Sequence, residues 1–153
     1  MSESVNQKDR LAAEEAERWA EVLALVERLT PTQLEEPGLT AEGWSVKDLL
    51  WHLAGWCSEA ERQLGLIRTG AYEERDWDTD GINARLLEES RRLSLGEVRS
   101  GLEAARAGAL REWAAIDEVT PEALEWFGES GPIHYDEHLP ALRAWVERLD
   151  RNG

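Results

Sequence analysis

The strongest helical pattern in the chain lies in residues 43–67, GWSVKDLLWHLAGWCSEAERQLGLI. Ser45 is a favourable N-cap, because its hydroxyl can accept a hydrogen bond from a backbone N–H that the first helical turn leaves free. The apolar residues that follow fall on one stripe at about 100° per residue: Leu49, Leu53, Trp56, Ala60, Leu64 and Ile67. The segment therefore predicts a long amphipathic helix that ends near Gly70 and turns this stripe toward a core.

Two further long helices are predicted from the same periodicity. One covers about residues 7–30 and is closed by Pro31. The other begins after Ser94, whose spacing from Glu97 forms a capping box, and it continues to about Ile116.

The remaining segments contain a fourth long helix and the connections. That helix follows Pro132 and runs to about residue 149, and Pro140 is expected to kink it. A short helix, ending at about residue 93, is predicted within the polar crossover between the second and third long helices. Residues 31–44 are interpreted as a loop, and Thr120-Pro121 as a break.

These patterns indicate an all-α fold. No segment shows the sustained period of two that is typical of strands, and a chain of 153 residues, 42% of them hydrophobic, can bury one core. The prediction is a four-helix bundle forming a single domain over residues 1–153, with a crossover long enough for the helices it joins to run parallel.

Composition limits the partners and the compartment. The formal charge of -15 repels nucleic-acid phosphates, so nucleic-acid binding is not expected. No apolar run reaches the length of a membrane span and the N-terminus lacks a signal-peptide pattern, which predicts a cytoplasmic protein. Cys57 is the one cysteine, so no internal disulfide can form, and its place in the apolar pattern of its helix favours core packing over catalysis.

The three histidines of the chain all fall at the borders of apolar helix faces. His134 and His138 are four residues apart, about 40° around the helix and about 6 Å along it, so one ion can reach both. His52 lies about 60° from the stripe centred on Leu49. Three imidazoles that leave one coordination position open are typical of catalytic zinc sites, and nickel, iron or manganese are alternatives. The sequence therefore predicts a divalent metal site formed by His52, His134 and His138.

Several residues near these histidines have competing interpretations. The segment from His134 to His138 also matches the inverted zincin pattern H-x-x-E-H, but Glu137 is expected to point away from the core and the pattern does not explain His52. Asp48 either orients a ligand imidazole or, as we favour, acts on the helix N-terminus. Four of the eight tryptophans are open to two interpretations, pocket wall or core: Trp44, Trp56, Trp126 and Trp145.

Two segments resemble a known family. Residues 43–53, GWSVKDLLWHL, and residues 134–138, HYDEH, are similar to the paired signatures of DinB-like (YfiT-like) four-helix bundle proteins, and the likeness extends over most of the chain. Two branches are considered, the mycothiol-dependent maleylpyruvate isomerase N-terminal domain and the colibactin self-resistance (ClbS/DfsB) proteins. The motif at residues 80–85, DGINAR, favours the second branch, although the connection from Trp113 to His134 is shorter than expected there.

The resemblance implies an up-down-down-up topology, a homodimer and a zinc or nickel ion held by His52, His134 and His138. It also places Asn83 near the site, so that Trp56, Asn83 and Trp145 are predicted to line a pocket. The function expected is a metal-dependent thiol transferase or hydrolase for a small electrophilic metabolite, with a low-molecular-weight thiol as a cosubstrate. The alternatives are a non-catalytic binder that sequesters a toxic small molecule and a structural bundle with an incidental metal.

Overall fold

A computed structural model describes residues 3–152, with side chains from Asn6 onward, and all regular structure in this range is helical. The helices are α1 (Glu3–Glu27), α2 (Pro31–Leu34), α3 (Val46–Thr69), α4 (Thr79–Arg92), α5 (Leu95–Ala115), α6 (Pro121–Ser130) and α7 (Pro132–Asn152). The predicted all-α fold is confirmed. None of these helices combines the length and the apolar character needed to cross a membrane.

Local capping sets the ends of the long helices where the sequence predicted them. The Ser45 hydroxyl accepts a hydrogen bond from the Asp48 backbone N–H, and the Asp48 carboxylate accepts one from the Ser45 N–H, which closes a capping box. Ser94 and Glu97 form the same arrangement before α5. Gly70 ends α3 in the left-handed region at φ +79°, a conformation that glycine adopts without steric cost.

The structure contains two helices, α2 and α6, where the sequence predicts a loop and a break. Thr30 caps α2 and Thr120 caps α6, and in both cases the proline that follows occupies the first helical turn. Proline is favoured there, because its missing N–H has no partner in the first turn and its φ is already helical. Pro140, by contrast, lies inside α7, which continues to Asn152; its ring is exposed.

The apolar stripe of α3 forms the centre of the packing. Leu49, Leu53 and Leu64 are at most 2% exposed, and α3 packs extensively against α5 as well as against α4 and α6. The other long pair is α1 with α7. The crossover contains α4, as predicted, while the up-down-down-up direction of the four long helices stays a prediction.

The close approach of α4 to α3 depends on Gly55. A Cβ at Gly55 would lie 2.4 Å from Cδ2 and 3.0 Å from Cγ of the buried Leu86. We expect Gly55→Ala to lower the free energy of unfolding by about 1 kcal/mol, because overpacking costs about 1–3 kcal/mol while helix propensity returns about 0.5–1 kcal/mol.

Gly65→Ala, on the same helix, is the matched control. Its Cβ would meet only the Glu112 carboxyl, at 3.6 Å, so a gain of about 0.5–1 kcal/mol is expected. Urea denaturation of both variants measures the difference, and equal shifts in the same direction would contradict the tight packing at Gly55.

Candidate metal centre

Three histidine side chains meet, one from α3 and two from α7. Nε2 of His52 lies 2.9 Å from Nε2 of His134, and each of the three ring pairs has centroids between 4.8 and 5.2 Å apart. One nitrogen from each of His52, His134 and His138 lies within 4.8 Å of the other two. The structure thus brings the three predicted ligands together. Two nitrogens bound about 2.0–2.1 Å from one ion lie at most about 4.2 Å apart, so the rings would close by up to about 0.6 Å on binding it.

The helices hold these rings at the edge of the core. His52 lies between the buried Leu49 and Leu53 in the α3 sequence, and the Trp44 ring packs against it with centroids 5.1 Å apart. His52 and His134 are each 7% exposed, while His138, one turn further along α7, is half-buried. One side of the cluster therefore faces the protein interior and the other remains accessible.

Burial keeps the imidazoles neutral. It lowers the pKa of His52 to about 4 and, with the two neighbouring imidazoles adding to the effect, that of His134 to about 3. The pKa of His138 is also lowered by burial. Neutral imidazole is the form that donates a lone pair to a metal. Three such nitrogens converging from two helices fit a divalent ion of borderline softness, such as zinc or nickel.

Two of the rings have no hydrogen-bond partner on their buried side within the part of the chain that the structure describes. Nδ1 of His52 and Nδ1 of His134 are buried and have no hydrogen-bond partner among the described residues. Asp48 does not serve His52, because its carboxylate accepts hydrogen bonds from the Ser45 N–H and from the Ser90 hydroxyl, the latter at 2.8 Å. The favoured interpretation of Asp48 as a helix-terminal carboxylate is thus supported.

A cavity of about 650 Å³ opens beside the three histidines, which form part of its wall. Of the predicted pocket residues, Trp56 and Asn83 line it, and the Trp56 indole N–H donates a 2.8 Å hydrogen bond to Asn83 Oδ1. Glu137 also lines it, although its side chain is exposed. A volume of this size holds a drug-sized molecule.

Trp145 does not line this cavity, which corrects the prediction made for it. It is 7% exposed within the main core, with its ring against Gly38, where a Cβ would lie 2.9 Å from Cη2. The helical angle placed Trp145 on the same side of α7 as the histidines, but it follows His138 by seven residues, about 10 Å along the axis.

The part of the cavity wall opposite α3 and α4 is formed by two segments for which the sequence predicts no helix. The short connection between Trp113 and His134 suggested a missing or rebuilt wall, and α6 supplies one, with Trp126 among its lining residues. The Trp126 indole N–H donates to the Tyr72 hydroxyl at 3.3 Å, and its ring meets Trp77 edge to face at 5.1 Å. The non-helical residues 70–78 thereby complete the cavity.

One residue joins α6, which forms part of the cavity wall, to α7, the helix that carries His134 and His138. Gly131 stands between Ser130 and Pro132, and its backbone N–H donates to the Phe127 carbonyl at 2.9 Å. A Cβ at Gly131 would lie 2.8 Å from that same carbonyl oxygen. Only glycine therefore fits this junction without a shift of the α6 backbone.

A buried polar network fixes the first turn of α7, and no pattern in the sequence predicts it. Glu15 of α1 is 2% exposed and accepts two hydrogen bonds from Arg106 of α5, at 2.7 and 2.8 Å. The Tyr135 hydroxyl donates to Glu15 Oε2 at 2.9 Å, and burial raises the pKa of Tyr135, which keeps that proton in place. Cys57 lies beside this network, and burial raises the pKa of its thiol to about 12, as expected for core packing.

The fold and the site define a class: helical bundles that carry a three-histidine cluster beside a cavity. The family model described as the mycothiol maleylpyruvate isomerase N-terminal domain matches residues 16–149. The chain belongs to this family, which is one of the two DinB-like branches considered, and not the one that residues 80–85 favoured.

One solved structure adds support for the fold alone. The crystal structure of an uncharacterised protein from Escherichia coli UTI89 matches with a TM-score of 0.77 over 94% of each chain, at 13% sequence identity. No curated protein matches the chain.

The network at Glu15 predicts unequal effects of removing two tyrosine hydroxyls. Tyr135→Phe is expected to lower the free energy of unfolding by about 1.5–3 kcal/mol, since it removes a buried hydrogen bond to a charged group. Tyr72→Phe, which loses the longer bond to Trp126 at a partly exposed site, is expected to cost less than about 1 kcal/mol. Urea denaturation measures both, and similar losses would argue against the role of Tyr135.

The lowered histidine pKa values predict a pH dependence of the metal-free protein. Between pH 6.5 and about 4 these histidines bind more protons in the unfolded chain than in the folded one, so the free energy of unfolding falls as the pH falls. The loss is about 1.4 kcal/mol for each unit by which the pKa of a histidine is lower in the folded chain than in the unfolded one. The other ionisable groups of this acidic chain also make the free energy of unfolding depend on pH. The control is therefore the double variant His52→Asn with His134→Asn, which lacks two of the imidazoles. Chelator-treated wild type should lose more stability between pH 7 and 5 than this variant, and parallel curves would contradict the prediction.

Proposed function

We propose that this protein is a metal-dependent enzyme of the thiol-transferase or hydrolase type, acting on a small electrophilic metabolite. His52, His134 and His138 would hold the ion, for which zinc and nickel are the proposed identities. The observation that carries the proposal is the convergence of three neutral imidazoles at the wall of a 650 Å³ cavity.

The chain needs an external nucleophile. Its one thiol, Cys57, is 3% exposed, and a pKa near 12 keeps it protonated at neutral pH. A divalent ion held by the three histidines would supply the missing chemistry by lowering the pKa of a thiol or water bound to it. The family description refers to mycothiol, which supports a low-molecular-weight thiol as the cosubstrate.

The cavity residues position the reactants. Trp44 covers one side of His52, and Trp56, held by Asn83, forms part of the wall, so an apolar molecule can shed water beside the histidines. The half-buried His138 stands toward the accessible side. A homodimer in the cytoplasm remains part of the proposal.

Metal analysis of the untagged protein is the decisive experiment. After reconstitution we expect about one equivalent of zinc or nickel per chain, and less than about a tenth of an equivalent in His52→Ala, His134→Ala and His138→Ala. Glu137→Gln is the matched control, since Glu137 lines the cavity but lies outside the ligand set, and it should retain the ion. Wild type without metal would refute the proposed function.

A non-catalytic binder is the second candidate, favoured by the aromatic wall of the cavity. Assays of the metal-loaded protein with mycothiol, bacillithiol or glutathione and a panel of electrophiles separate the two. The enzyme converts many equivalents of electrophile per chain, with the thiol or with water, whereas a binder converts none. Loss of turnover in His138→Ala, with Glu147→Gln active, would assign the reaction to the metal centre, since Glu147 is exposed and lies outside the cavity lining.

A further inference from the structure

The cavity beside the histidines carries an excess of negative charge. Arg75 is its one cationic side chain. Four carboxylates line it: Glu74, Glu125, Glu129 and Glu137. None of the four carboxylates makes an ion pair with a side chain in the described part of the chain. With neutral histidines the lining has a formal charge of -3, and a divalent ion would still leave -1.

Two of these carboxylates are neighbours on the surface of α6. Glu125 and Glu129 are four residues apart and both line the cavity together with Trp126. Like charges at this spacing destabilise a helix. No basic side chain of the described residues forms an ion pair with either one, so both exposed charges remain available to a cation in the cavity.

Aromatic side chains of the lining supply a second, independent attraction for a cation. These side chains are Trp44, Trp56, Tyr72, Trp77 and Trp126. An aromatic face attracts a positive group within about 6 Å of its centre. The wall already contains one such contact, since the Arg75 guanidinium lies 3.9 Å from the centre of the Trp77 ring.

We propose that the molecule that reaches the three histidines is a small organic cation, an amine or guanidine on an apolar aromatic body. Its body would pack on the aromatic wall and its charged group would lie near the α6 carboxylates. The net charge of -15 over the whole chain draws the same class of molecule toward the cavity and repels anions. This inference deepens the proposed function, because it assigns a charge class to the substrate of the same site.

The test uses three probes with a phenyl body and different head groups. They are 2-phenylethylamine, 2-phenylethanol and 3-phenylpropanoate, titrated calorimetrically into the protein as purified and again after metal removal. We expect the amine to bind at least about tenfold more tightly than the carboxylate at low ionic strength, with a smaller ratio at high salt.

Two double variants with the same change in net charge locate the attraction. Glu125→Gln with Glu129→Gln should weaken amine binding at least about fivefold and leave the alcohol unchanged. Glu27→Gln with Glu147→Gln alters two exposed carboxylates outside the cavity lining and should change neither by more than about twofold.

Three results would each overturn the inference. They are tighter binding of the carboxylate than of the amine, equal losses of amine affinity in the two double variants, and no amine binding at millimolar concentration. Metal content is measured on the same samples. If no sample holds metal, the proposed function fails, while the comparison of probes still decides the charge class of the ligand.

Discussion

The site depends on the burial of one face of α3. Val46, Leu53 and Leu64 on that face are at most 1% exposed, and the helix is enclosed by α4, α5 and α6. Because side chains in a close-packed interior have little freedom, this packing fixes the position of His52 at the border of the core. His134 and His138 then need only the correct placement of one other helix, α7, to meet it.

Burial acts on all three imidazoles, and mutual proximity adds to it in the same direction at His52 and His134. Both disfavour the protonated form, since a positive charge would lose hydration and repel any second one nearby. The cluster thus has its lone pairs available at neutral pH. The Glu15 carboxylate, bound by Arg106 and Tyr135, shows the opposite solution, in which a buried charge is matched by its opposite and by hydrogen bonds.

The sequence is informative for the long, periodic helices, although not for α2 and α6, whose first turns carry a proline. Ser45 and the periodic residues after it define α3, and the positions of the histidines on their helices place each at a core border. Features that depend on two distant segments were not predictable in this way. Glu15 resembles any surface glutamate until Arg106, 91 residues away, packs beside it, and the contact of Tyr72 with Trp126 joins a non-periodic segment to a helix that begins at a proline.

The junction at Gly131 ties one wall of the cavity to the metal ligands. With one residue between α6 and α7, and with no room for a side chain there, the acidic wall follows directly on the helix that carries two of the three histidines. The opposite side is different, because residues 72–77 lie outside the helices and are held to α6 by the side-chain contacts of Tyr72 and Trp77 with Trp126. Any shift of that segment would leave the spacing of the two α7 ligands unchanged, because both lie on one helix four residues apart.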